Sequence, residues 1–294
     1  MSGWAPLADA GREAAFGGKA AALAVAVRAG LPVPPGLALA APFVDAVGAG
    51  DAGALETLAS LPVPDGALAV RSSAVGEDSA GASFAGQHAT LLNVRGGESL
   101  VEAVREVWRS ARTDSALAYR ARMGVEGPPR MGVVVQRLAP AEVAGVLFTR
   151  NPLTGADERL IEAAWGLGES VVQGRVVPDR YRVGRDGVVL ERTPGRMPFS
   201  VRPSADGSVA DEPVPRWLAG VTCLDDAKLE ALHRLALDCE AVWEGAHDLE
   251  WAFVGGEAFL LQRRPITTVA PDPPAATRQR IAEAPPASAT RPPT

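Results

Sequence analysis

Near the end of the chain, DLEWAFVGGEAFLLQRRP (residues 248–265) sets a glycine pair between two runs of alternating side chains. Glycine accepts the positive φ angles of a tight turn, and strand side chains alternate between faces. The pattern therefore predicts an antiparallel hairpin of residues 248–254 and 257–264. Leu249, Trp251, Phe253, Phe259 and Leu261 form the expected core face, and Asp248, Glu250, Ala252, Ala258, Leu260, Gln262 and Arg264 the other. Two carboxylates, an amide and a guanidinium thus share one face, which is either a solvated surface with cross-strand ion pairs or a site. Ala and Leu between acid and base are unusual for a plain outer face. Asp248 and Glu250, with the carbonyl of Gln262, would suit Mg²⁺, which takes hard oxygens and leaves room for water and phosphate. Arg264 could balance charge on a transferring phosphoryl group. Register decides between these readings. A two-residue turn at Gly255-Gly256 would set Glu250 opposite Leu261, so the chemistry calls for a three-residue loop that brings both acids over Gln262 and Arg264.

A second stretch raises the same chemistry. AVRSSAVGEDSAGASFAGQ (residues 69–87) follows a short apolar strand, 68–71, with an arginine, serines, acids and glycines. Taken alone, it is compatible with a plain surface loop. It is also compatible with a phosphate-handling loop, in which Gly and Ser let backbone N–H groups approach an anion and Arg71 supplies a charged fork. Lys19 stands at the start of an Ala/Val/Leu-rich segment that runs to Ala29 and reads as a helix, stopped by Gly30 and Pro32. A helix N-terminus attracts phosphate, although GGKA is not a Walker loop, because Glu13 stands where its first glycine belongs and Ala20 replaces Ser/Thr.

Elsewhere the spacing predicts a strand near 90–94, one long amphipathic helix over 98–123, and strands at 131–138, 143–150, 159–164 and 180–183. A further helix over 225–243 has Asp225 as its N-cap and Cys239 on its apolar side. The segment LPVPPGLAL cannot be helical and leads into a strand. Residues 270–294 hold seven prolines and Ile281 as their sole large aliphatic, so a disordered tail outside the core is expected.

At 294 residues with 47% hydrophobic content, the chain can bury one large two-lobed domain or two ordinary ones. A net charge of −6 argues against nucleic-acid or anionic-membrane partners. Cys223 and Cys239 cannot make a disulfide framework or a zinc site. No signal-peptide pattern and no membrane-spanning apolar run is read, so a soluble, cytoplasmic protein is expected.

Five stretches in order resemble the nucleotide-binding N-terminal module of phosphoenolpyruvate synthase, pyruvate phosphate dikinase and rifampicin phosphotransferase. They are GGKAAALAVAVRAGLPVPPGLAL, AVRSSAVGEDSAGASFAGQHATLLNV, VVVQRLAPAEVAGVLFTRNPLTG, AAWGLGESVVQGRVVPDRY and DLEWAFVGGEAFLLQRRPIT, together covering most of residues 12–268. The resemblance implies an α+β ATP-grasp fold whose two lobes enclose ATP. The lobes are expected at residues 1–125 and 126–269. It makes Lys19 and Arg71 phosphate ligands, and puts Gly86, Gln87 and Thr90 in the triphosphate cover. Gln136 and Leu138 match the segment past the adenine. Glu250 and Gln262 match metal ligands for Mg²⁺, with Asp248 beside them, and Arg264, with Arg71, serves transfer. The WGLGE segment also matches the family, without a role for Glu169. His88, His233 and His247 read as structural or solvent-exposed, and Arg263 as a core-facing residue whose stem snorkels.

Family enzymes pass a phosphoryl group from ATP to a histidine on a mobile domain, whose Ser-His-Ala signature does not occur in this sequence. The expectation is an ATP-grasp module encoded separately, acting with a phosphohistidine-domain protein and an acceptor the residues do not identify. A stand-alone kinase or ligase, and a nucleotide-binding regulatory module without turnover, remain the alternatives.

Overall fold

Two antiparallel sheets divide the chain in the computed structural model, which describes residues 3–76, 89–122, 127–218 and 220–266. The first comprises β1 (Trp4–Pro6), β2 (Gly36–Leu39), β3 (Leu68–Ala74), β4 (Thr90–Val94) and β5 (Met131–Arg137), in the order β1-β2-β5-β3-β4. Around it lie α1 (Glu13–Phe16), α2 (Gly18–Arg28), α3 (Ala41–Ala49), α4 (Ala52–Ala59), α5 (Gly97–Ser110) and α6 (Asp114–Arg122). Leu100, Val104 and Val107 of α5 share a core with Leu58, Val70, Val133 and Val135, whereas Leu23 of α2 packs on the other side of the sheet with Val134. The central strand β5 is buried on both faces, and its unbroken MGVVVQ run reflects that.

The second sheet has the order β13-β12-β6-β7-β8-β9. Its strands are β6 (Val143–Phe148), β7 (Glu158–Trp165), β8 (Asp179–Gly184), β9 (Val189–Thr193), β12 (His247–Val254) and β13 (Glu257–Pro265). A separate hairpin, β10 (Phe199–Pro203) and β11 (Val209–Pro213), and the helices α7 (Glu169–Val172) and α8 (Asp226–Val242) complete it. Leu229, Leu232, Leu235 and Cys239 of α8 pack on Trp251, Phe253 and Leu260, and the Asp225 carboxylate accepts the Lys228 N–H at 2.8 Å as the helix cap. Arg263 lies on this side as expected, with Nη2 3.0 Å from His247 Nδ1 and its guanidinium over the Trp243 ring.

Several expectations change. The division at 125/126 falls ahead of β5, yet β5 sits between β2 and β3 in the first sheet; the chain crosses between sheets over 138–142. A continuous apolar run announces burial on two faces but not which sheet supplies the neighbours. The expected helix over 98–123 is two, α5 and α6, because Thr113 Oγ1 accepts the Ala116 N–H at 3.2 Å and starts a new helix there. The helices α3 and α4 and the β10–β11 hairpin have no counterpart in the sequence reading.

The terminal hairpin reaches the required register by a different route. Gly255 and Gly256, with φ of 58° and 82°, make a two-residue turn that pairs Val254 with Glu257, not the expected three-residue loop. The pairing then shifts between Trp251↔Leu260 and Glu250↔Gln262, leaving Leu261 as the extra residue of a β-bulge. Leu260 therefore joins Trp251 in the core, while Leu261 packs on the opposite side with Ala252 and Leu138. This reverses the faces expected for both leucines. Asp248 stands opposite Arg264 and Glu250 opposite Gln262.

Gly86, Gln87, His88 and the tail 270–294 lie outside the described residues. Among those described, no helix is long and apolar enough to cross a membrane.

Candidate functional site

A cavity of about 280 Å³ opens between the two sheets, and residues from distant parts of the chain converge on it: Lys19, Arg71, Thr90, Gln136, Leu138, Glu250, Gln262 and Arg264 all line it. Each is delivered by a definite local device. Lys19, 5% exposed, sits in the first turn of α2, whose Ala20 N–H donates to Ser73 Oγ at 3.0 Å. Gly17 makes this approach possible: at φ 86° it lies so close to β3 that an added Cβ would stand 1.9 Å from the Ser73 carbonyl oxygen. Arg71 comes from the fully buried strand β3 and Thr90 from its neighbour β4, where the two are register partners. Gln136, next to last in β5, is held by donation from Nε2 to the Pro34 carbonyl at 2.9 Å.

Arg71 links the sheets. Its Nη2 donates to Glu250 Oε2 and to Gln262 Oε1, both at 2.9 Å, and its Nη1 donates to the carbonyl of Leu261. All three acceptors belong to the bulged part of the hairpin. The bulge turns the Leu261 carbonyl and the Gln262 side chain toward β3, and the planar guanidinium suits several acceptors at once.

The cavity's charge is unlike the chain's. Among the described residues, Lys19, Arg71, Arg137 and Arg264 line it against Glu169 and Glu250, whereas the whole chain carries −6. The local balance favours an anion. Another part of the wall is apolar and small: Ala69, Leu138, Ala144, Leu167 and Ala252 come from both sheets into one cluster, with Leu92 and Leu261 packed against it. Glu169, at the start of α7, stands beside this apolar wall, and burial pushes its carboxyl above the usual carboxylate value against the smaller pull of Arg175. The sequence reading gave Glu169, Ser72, Arg137 and Gln173 no role, although all four line the cavity. The WGLGE motif was the signal for Glu169.

Asp248 is not brought in with the others: it shares β12 with Glu250 but does not line the cavity. That bears on whether the residues fit a magnesium ion. No group of three or more His, Cys, Asp or Glu among the described residues is placed to hold a metal. Glu250 and Gln262 nonetheless present a carboxylate and an amide oxygen at one register position. This donor set fits a hard cation that takes its remaining ligands from phosphate and water, as Mg²⁺ commonly does. It does not fit a cation caged by protein alone.

The family described as "Pyruvate phosphate dikinase, AMP/ATP-binding domain" matches residues 52–284. A probable phosphoenolpyruvate synthase of Methanothermobacter thermautotrophicus is 41% identical over 204 residues, covering 69% of this chain and 30% of that protein. A rifampicin phosphotransferase of Streptomyces sviceus is 37% identical over 215 residues, covering 72% and 25%. The prodigiosin synthesizing transferase PigC of Serratia marcescens is 34% identical over 284 residues, covering 87% and 32%. The chain thus spans about a third or less of the length of these relatives.

Proposed function

This chain belongs to the pyruvate phosphate dikinase AMP/ATP-binding domain family, and from that premise we propose that it binds Mg-ATP between its two sheets in an ATP-grasp arrangement and transfers a phosphoryl group to a histidine on a separate partner. The transfer is of the dikinase type: both phosphoanhydride bonds of ATP break, the β-phosphoryl group passes to the histidine and the γ-phosphoryl group to water, and AMP and phosphate leave.

The observation that carries this reading is that Lys19, Arg71 and Arg264 line one cavity with Glu250 and Gln262, beside an apolar wall of small residues. Lys19 and the N–H groups of α2 receive phosphate oxygens. Arg71 exchanges its carboxylate partner for phosphate, which frees Glu250. A magnesium ion held by Glu250 and Gln262 would supply charge neutralisation and order the phosphate chain. Arg264 acts chiefly as charge redistributes during transfer, when a preorganised donor gains most. The purine lies against Leu138 and Leu167, and Glu169 accepts hydrogen bonds from the nucleoside.

The test is ATP turnover with and without a phosphohistidine-domain protein, with the adenylate products identified. AMP and phosphate formed only with the partner are expected. ADP would point instead to a stand-alone kinase, and tight binding without turnover to a regulatory module.

A further inference from the structure

Asn93 is the only described non-glycine residue with a positive φ, 62°, and its side chain is completely buried. A left-handed residue inside a strand is unusual and persists where its surroundings require it. It occurs where the β3–β4 pairing shifts: Leu68 pairs with Val94 and Val70 with Leu91, so Leu92 and Asn93 together face Ala69. The bulge sends the Asn93 amide out of its own sheet. Nδ2 donates to the carbonyls of Ser204 at 2.7 Å and Ser208 at 2.5 Å, while Oδ1 accepts from Arg95 Nε at 3.1 Å.

Ser204 and Ser208 close the turn of the β10–β11 hairpin, with the Ser204 N–H donating to the Ser208 carbonyl at 2.9 Å. The base of that hairpin holds the cavity wall. Val201 of β10 bridges to Gly166 and accepts the Leu167 N–H at 2.9 Å, and Leu167, Gly168 and Glu169 line the cavity. On the near side, Leu92, beside Asn93, lines the same cavity from the first sheet. An unbroken series of hydrogen bonds therefore runs from β4 through the hairpin to the opposite wall.

We propose that Asn93 is a positioning residue: by holding the β10–β11 turn it sets the spacing between the Leu92 wall and the Leu167–Glu169 wall of the nucleotide cavity. Its hydrogen bonds to Ser204, Ser208 and Arg95 are separate from those that Arg71 makes to Glu250, Leu261 and Gln262. The role in nucleotide binding rests on the function proposed above; the mechanical coupling of Asn93 to Leu167 does not.

Asn93→Gly tests it, because glycine keeps the positive φ without strain while removing the amide. The affinity for Mg-ATP should fall roughly 5–30-fold, the scale expected when the binding-competent spacing loses two hydrogen bonds of support. Amide exchange at Leu167 should quicken, while exchange in β12 and β13 stays unchanged. Asn93→Asp, which turns acceptor oxygens toward two carbonyls, should behave similarly and covers the case in which Asn93→Gly fails to fold. Leu58→Ala, a core truncation in α4, serves as a destabilised control and should leave Leu167 exchange relative to global stability unaltered. Unchanged Leu167 exchange in both Asn93 variants overturns the coupling. Faster exchange with wild-type ATP affinity overturns the role in binding. Should the wild-type protein bind no nucleotide, the functional reading fails by itself, and Leu167 exchange still decides the coupling.

Discussion

Glu250 and Gln262 face each other across the terminal hairpin although the turn that joins their strands would, unaided, set Glu250 opposite Leu261. One bulged residue makes the difference, and its carbonyl is bound by Arg71 from the other sheet. The same irregularity thus aligns a carboxylate with an amide and gives the intersheet arginine its third acceptor.

Because Arg71 and a cation compete for Glu250 in the proposed site, Glu250→Gln should act in opposite directions with and without metal. Affinity for Mg-ATP should fall by roughly 10-fold or more, the scale of a lost interaction with a charged group. Affinity for ATP in chelator should hold or rise, since Arg71 no longer has a carboxylate partner. Calorimetric titrations with Mg²⁺ and with EDTA make the comparison, and equal losses in both would exclude Glu250 as a metal ligand.

Arg264→Ala should leave ATP binding largely intact and slow phosphoryl transfer by roughly 10²–10³-fold, the effect of removing one preorganised donor. Single-turnover transfer with the partner present, alongside equilibrium binding, separates the two quantities. Undiminished transfer would remove Arg264 from catalysis and favour the regulatory reading.

Gly17→Ala should destabilise the fold by roughly 2 kcal/mol or more, because the residue is left-handed and its new Cβ would collide with the backbone of β3. The collision displaces the start of α2, so Lys19 moves and ATP affinity falls as well. Thermal denaturation and binding titration check both, and a fully stable, ATP-binding variant would show that α2 can shift without consequence.

His247 makes stability pH-dependent. The ring is completely buried, Nε2 donates to the Trp243 carbonyl and Nδ1 accepts from Arg263. Burial first, and the Arg263 charge second, hold its pKa below the usual 6.5. The unfolded chain then binds more protons than the native one just below that value. Stability should decline as pH falls from 6.5 toward the lowered folded value, and level off below it. His247→Gln should flatten part of the slope in melting temperature against pH; His233, which burial lowers too, contributes in the same direction. An unaltered slope would refute the assignment to His247.

Elements whose signal is local were readable from the residues alone. The alternation around Trp251, the Gly255-Gly256 turn, the Asp225 cap and the amphipathic stripe of α8 depend on neighbours a few positions away, and each occurs where the spacing put it. So does the grouping of Asp248 and Glu250 on one strand. What the sequence could not determine is pairing across long separations. The turn argued for one register and the site for another; the bulge at Leu261 reconciles them, held by β6 on the far edge of β12 and by Arg71 from 190 residues away. No local pattern encodes a strand's neighbours, so β5, which follows the expected division at 125/126, pairs in the first sheet, and Asp248, which shares its strand with Glu250, remains outside the cavity. Asn93 looks like any polar strand residue until the β10–β11 hairpin is folded against it. Spacing along the chain determined which groups could share a face; packing between the two sheets decided which of them share a site, because only there do groups distant in sequence come within hydrogen-bonding range.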